Sequence, residues 1–179
     1  KKTEAEEHVL NAGEEPVGHK ETIRFFFGLV LLILALFMLL SFTSHLFTGA
    51  EDQCLIEQGA MEGFLNYAGA VGAYCANYWI NRCFGFSAFI LPVFLIIAAM
   101  KLTRAYKVRL WKWFLNCSIL IIWLSVTCSY FFQQTFKGLS GWNFINPGGD
   151  HGLFISNWLN QRIGKVGTFM ALLLTAVAY

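Results

Sequence analysis

Residues 66–82 read NYAGAVGAYCANYWINR and residues 146–162 read NPGGDHGLFISNWLNQR. Both place an asparagine, two glycines, a second asparagine and an arginine at the same intervals. In the first copy these are Asn66, Gly69, Gly72, Asn77 and Arg82; in the second, 80 residues on, they are Asn146, Gly149, Gly152, Asn157 and Arg162. Each copy precedes a hydrophobic run, residues 84–100 and residues 166–179, and another hydrophobic run stands ahead of each, residues 25–47 and residues 113–132. The chain therefore reads as one unit written twice: membrane helix, polar loop with a glycine motif, membrane helix. The fold class that follows is an all-α membrane protein whose four transmembrane helices form two tandem hairpin-like repeats, with a short amphipathic helix in each outer loop.

Composition agrees. With 56% hydrophobic and 17% aromatic residues against 13% charged ones, 179 residues are too apolar for a soluble domain. Residues 25–50 carry no formal charge, and a bilayer core of roughly 30 Å needs only about 20 helical residues. Residues 83–100 give a shorter second span, in which Pro92 predicts a kink midway. Residues 113–132 give a third. The last run, from 166, is too short to cross, so the sequence predicts a fourth span that continues beyond Tyr179. Absence of a short apolar segment with a small-residue cleavage site makes the first span a retained anchor rather than a signal peptide.

Charge sets the expected orientation. Lys1, Lys2, Lys20 and Arg24 precede the first span, and Lys101, Arg104, Lys107, Arg109 and Lys112 crowd the loop between spans two and three; the other two loops together hold only Arg82, Lys137, Arg162 and Lys165. Cytoplasmic loops carry the excess of Lys and Arg, which puts the N-terminus, the middle loop and the continuation inside and the two glycine motifs outside. The basic loop suits anionic lipid headgroups. Residues 1–22, rich in Glu and poor in large apolar side chains, read as a mobile cytoplasmic tail, and residues 23–179 as the membrane domain.

After the glycines each copy continues as an amphipathic stretch. Leu153, Phe154, Trp158 and Leu159 oppose Ser156, Asn157, Asn160 and Gln161, and Tyr74, Tyr78 and Trp79 oppose Asn77, Asn81 and Arg82. Such helices either lie at headgroup depth or dip in as re-entrant elements. Ser118, Ser125 and Ser129 put small polar side chains along one face of the third span, the pattern of a helix-packing stripe.

Acidic and basic residues all fall outside the middle of the spans, which argues against proton relays, voltage sensors and ion-coupled carriers. Phosphate loops, His-Glu-x-x-His and Cys-x-x-Cys motifs do not occur, and the run from Gly148 to Gly152 is a turn, not a nucleotide site. No catalytic, cofactor-binding or metal-ligating residue is assigned. Of the five cysteines, Cys117 and Cys128 read as packing residues of the third span. Cys54, Cys75 and Cys83 lie on the outer side, where three single bridges are open to them; Cys54–Cys83 is favoured because it closes the outer loop against the second span.

The stretch Asn146-Pro-Gly-Gly-Asp-His-Gly-Leu, continuing to Arg162-Ile-Gly-Lys-Val-Gly with Gly164 and Gly167, resembles the N-terminal four-helix membrane domain of the FtsK/SpoIIIE DNA translocases, over about residues 20–179. The long first outer loop resembles Bacteroidota-type members. The resemblance implies an anchor in the bacterial inner membrane at the division septum. It further implies contacts with division-site membrane proteins, a homo-oligomer that is hexameric in the family's motor, and a role in cell division and chromosome segregation. ATP, Mg and DNA would be bound only by a motor in the continuation, so these residues are not themselves an enzyme. Two other readings come from the residues: a small four-span channel or carrier with the glycine motifs as re-entrant filters, and a membrane enzyme acting on lipid. The copies share one orientation, however, unlike the inverted repeats common in ion-coupled carriers, and no cluster of acids, histidines or nucleophiles serves an enzyme.

Overall fold

A long apolar run without proline makes a long helix, and α1 (His19–Glu57) has 39 residues. At about 1.5 Å per residue it is roughly 58 Å long, nearly twice the hydrocarbon core. The structure, a computed structural model, describes residues 18–140 and 142–179. Residues 1–17 of the expected tail lie outside the described residues; its last part, from His19, is already helical. The other end also departs from expectation, because α1 does not stop near residue 47 but carries Glu51, Asp52 and Gln53 on for three further turns.

The next element is α2 (Gly69–Ala76), which runs directly into a π-helical segment (Asn77–Phe84); a 3-10 turn (Gly85–Phe89) and α3 (Ile90–Leu102) follow. Pro92 is the third residue of α3 rather than the centre of a long span. There its missing N–H costs no intrahelical bond, so the expected mid-span kink is replaced by a break at Gly85, where φ is +68°. Helix α4 (Leu110–Gly138) spans 29 residues, and α5 (Gly149–Ala178) spans 30, with a break at Gly164 (φ 72°, ψ 170°).

Each repeat closes as a hairpin, α1 packing chiefly on α3 and α4 on α5. The two hairpins meet through the π-helical segment and the 3-10 turn: Ser87 Oγ donates to Ile121 O of α4 at 2.9 Å, and the π-helical segment packs against α5. The core lies at this junction. It is built from Met38, Phe42, Ala76, Ile80, Ala88 and Ile145, with Phe42 edge-on to Phe89 at 5.5 Å between ring centroids. Away from it, α1 exposes Phe25, Phe26, Phe27, Val30 and Ile33, a surface suited to lipid.

Among the described residues three helical stretches are long and apolar enough to cross a membrane: Lys20–Glu57, Gly69–Leu102 and Leu110–Gly138. The fourth hydrophobic stretch, after Gly164, folds back along α4. Tyr130 Oη donates to Lys165 O at 2.9 Å, and Trp123 Nε1 donates to Thr175 Oγ1 at 3.0 Å further down. The protein is thus an all-α membrane protein of two helical hairpins.

Candidate functional site

The two glycine motifs are two copies of one turn. The Gly69 N–H donates to Asn66 O at 2.7 Å and the Gly149 N–H to Asn146 O at 2.9 Å, and both glycines have φ +66°. That left-handed conformation costs an L side chain about 1–2 kcal/mol, which is why glycine recurs there. Beyond the turn, small residues repeat every fourth position: Ala68, Gly72 and Ala76 in one copy, Gly148, Gly152 and Ser156 in the other. Spacing by four aligns them on one helical face and lets backbones approach closely.

What they approach is a serine-bearing helix. In the first repeat Ser41 Oγ donates to Gly72 O at 2.6 Å; in the second Ser125 Oγ donates to Gly148 O, also at 2.6 Å. Tyr67 N–H donates to Ser44 Oγ at 2.9 Å. A side chain at Gly152 would overlap the Ser125 backbone, and one at Gly148 the Ser125 carbonyl and both the backbone and side chain of Ser129. Ser125 and Ser129 therefore form the packing stripe expected of α4, whereas Ser118 turns back on its own helix, donating to Phe114 O at 2.8 Å.

The asparagines differ between copies. Asn66 stays within its repeat: Oδ1 accepts from Ala68 N at 3.0 Å and Nδ2 donates to Ser41 O at 3.1 Å. Asn146 joins the repeats, its N–H donating to Asn81 Oδ1 at 3.0 Å and its Nδ2 to Asp150 Oδ1 at 3.1 Å. Asn81 in turn donates to Asn77 Oδ1 at 2.8 Å. Gly149 and Gly85 lie where segments of the two repeats cross: a side chain at Gly149 would overlap the Cys83 carbonyl, one at Gly85 the Pro147 carbonyl, and Phe86 N–H donates to Pro147 O at 3.0 Å. The motif glycines of the second repeat are consumed by close packing between elements.

Some sequence-selected residues stand apart from this cluster. Asn157 and Arg162 are exposed, with the Arg162 guanidinium 5.8 Å from the centroid of the Trp158 ring. Arg82 lies in the wall of a cavity between the repeats. Gly164 is the break in α5, and Gly167 follows it against its own Ile163 side chain. The aromatic face of α5 also turns out opposite to the buried one: Gly149, Gly152 and Ser156 are buried, while Phe154 is 72% exposed. Lys101, Arg104, Lys107, Arg109 and Lys112 sit at the other end of the bundle, where Arg104 pairs with Glu21.

The cysteines are free among the described residues, and the favoured Cys54–Cys83 bridge does not form. Cys54 lies on the exposed side of α1, accepting from Gln58 Nε2 at 3.2 Å, whereas Cys83 is held at the crossing with Gly149. Sequence reasoning also passed over Asp52, which is fully buried. Its Oδ1 accepts from Leu65 N at 2.7 Å and its Oδ2 from Thr48 Oγ1 at 3.0 Å. An acid in an acidic stretch just after a span carries no signal of burial; only its fourth-residue spacing from Thr48 hints at the pairing.

Among the described residues no group of three or more His, Cys, Asp or Glu is placed to hold a metal. The geometry defines a multi-pass helical membrane domain whose paired turns lock two hairpins together. Residues 20–179 match the family described as the 4TM region of DNA translocase FtsK/SpoIIIE, and the chain belongs to it. That region is a membrane-anchoring domain, not a catalytic one. No curated protein and no solved structure matches the chain.

Proposed function

We propose that these residues anchor a DNA translocase in the bacterial inner membrane at the division septum, in service of cell division and chromosome segregation. The observation that carries this reading is the family match, which extends over residues 20–179 and so takes in all four hydrophobic stretches. The ATP- and Mg-dependent motor, and with it all contact with DNA, is assigned to the continuation after the fourth helix. The domain itself contacts the bilayer and division-site membrane proteins, and assembles with copies of itself as the hexameric motor requires.

The orientation proposed has both ends of the domain in the cytoplasm and both glycine turns outside. Two features support it: the basic loop, which the positive-inside tendency places in the cytoplasm, and the Glu21–Arg104 pair, which keeps the start of α1 at that same end. Close packing of Gly148, Gly149 and Gly152 speaks against their use as re-entrant filters.

A fluorescent protein fused after Tyr179 tests the assignment in dividing cells. Enrichment at the septum, lost when the two repeats are separated by Gly149→Val, is the expected result. Even distribution around the envelope of a stably inserted fusion overturns septal anchoring.

A further inference from the structure

Between the repeats, at the end of the bundle carrying the glycine turns, lies a cavity of about 560 Å³, within the roughly 300–1,000 Å³ of small-molecule sites. Its wall holds six amide side chains drawn from four parts of the chain: Gln53 of α1, Asn77 and Asn81 of the π-helical segment, Gln133 of α4, and Asn143 and Asn146 of the loop before α5. The formal charges in the wall cancel, Glu57 and Asp150 against Arg82 and Lys137. Two buried acceptors belonging to wall residues, Gln133 Oε1 and Asn146 Oδ1, have no hydrogen-bond partner, and Gln133 is itself nine-tenths buried.

We propose that this cavity binds a neutral saccharide of one or two rings. An amide offers two donors and an acceptor, and a sugar hydroxyl offers one donor and two lone pairs, so an amide-lined wall matches a polyhydroxylated ligand in both senses. Cancelled charge removes the excess of one sign that a phosphorylated or polyanionic ligand, or a cation, would need. Gln133 Oε1 and Asn146 Oδ1 lack donors and are closed to solvent, so a ligand hydroxyl reaches them once these two wall side chains turn toward the cavity. Phe144, Ile145 and Leu153 provide an apolar strip for the C–H face of a ring. They are too few to seat the large apolar side chain on which peptide recognition turns. None of the groups involved is a motif glycine, so a cavity that binds nothing leaves the anchoring assignment untouched, and a domain that fails to reach the septum leaves the cavity testable.

The test is saturation-transfer NMR on the 179-residue chain in phosphatidylcholine nanodiscs, free of sugar-based detergent, with N,N′-diacetylchitobiose and cellobiose as probes and trialanine as the peptide comparison. Transfer to the ring protons of at least one disaccharide is expected, with affinity weakened tenfold or more by Asn143→Trp, which fills the exposed rim. Asn157→Ala, which removes an exposed amide outside the cavity wall, leaves binding unchanged. Should Asn143→Trp lose helix content by circular dichroism, Gln133→Leu, close in volume, is expected to show the same weakening. Three results overturn the proposal: no transfer to either sugar at millimolar concentration, transfer of equal strength in wild type and folded variants, or trialanine binding at least as well as both sugars.

Discussion

Gly69 and Gly149 share a backbone conformation and differ in their neighbours, which separates two costs that usually occur together. A side chain at Gly69 would meet nothing within 4 Å, whereas one at Gly149 would overlap the Cys83 carbonyl. Gly69→Ala is therefore expected to lose only the left-handed penalty, about 1–2 kcal/mol. Gly149→Ala should lose that and more, because backbone must shift where the repeats cross. Reversible unfolding in mixed micelles measures both, and equal losses would refute the crossing as the tighter constraint. Asp52 offers a second contrast. Its carboxylate satisfies the Leu65 N–H in a buried setting, so Asp52→Leu should cost about 1–3 kcal/mol for the unsatisfied donor. Asp52→Asn keeps an acceptor for Leu65 and should cost less. Similar destabilisation in the two variants would mean that the hydrogen bond to Leu65 is not what Asp52 contributes.

At the scale of elements the repeats can be compared turn by turn. The positive-φ glycines that open and close the outer helix are Gly69 and Gly85 in the first copy and Gly149 and Gly164 in the second, so the first copy holds one residue more between them. An extra residue in a helix is absorbed by widening it to i→i+5 bonds, and the first copy is π-helical over Asn77–Phe84 where the second is α-helical. The sequence showed the repeat, its two glycine turns and the four hydrophobic stretches, because periodicity and breakers are local signals. It did not show that Asn81 would become the bridge to Asn146, since the π-helical turn alters which way that side chain points. Nor did it show the small-residue face of α5 as the buried one: in a membrane domain large aromatics face outward as readily as inward, so amphipathicity does not identify the core side. One prediction at this scale concerns α5. Gly152→Ala forces a methyl against the Ser125 backbone of α4, while Gly167→Ala meets only Ile163, four residues back in α5 itself. Spin labels on α4 and α5 should therefore report helix separation in Gly152→Ala and none in Gly167→Ala; unchanged distances in both would remove close backbone approach as the basis of that hairpin.

For the whole molecule the decisive quantity is which end faces the cytoplasm. The helical hairpins fix relative positions without a membrane: Glu21 of α1 pairs with Arg104, so the start of α1 and the basic turn share one end, and the glycine turns take the other. Charge then selects between the two insertions, and five Lys and Arg in the twelve residues 101–112 outweigh the sparse cations at the turn end. Asp52 adds to the argument in an unexpected way. Burying it in a bond to Leu65 lets α1 run ten residues past the expected end of its span while the acidic stretch stays folded against the bundle. Cys54, exposed on that extension, is a native reporter of its side. In intact spheroplasts a membrane-impermeant maleimide should label Cys54 in the wild-type chain. With Cys54, Cys75 and Cys83 replaced by serine and Lys107→Cys introduced, labelling should appear only after the membrane is permeabilised. Labelling of the Lys107→Cys variant from outside, together with protection of Cys54 in the wild type, would reverse the orientation, and the motor proposed for the continuation would then have to lie on the wrong side of the membrane from the chromosome.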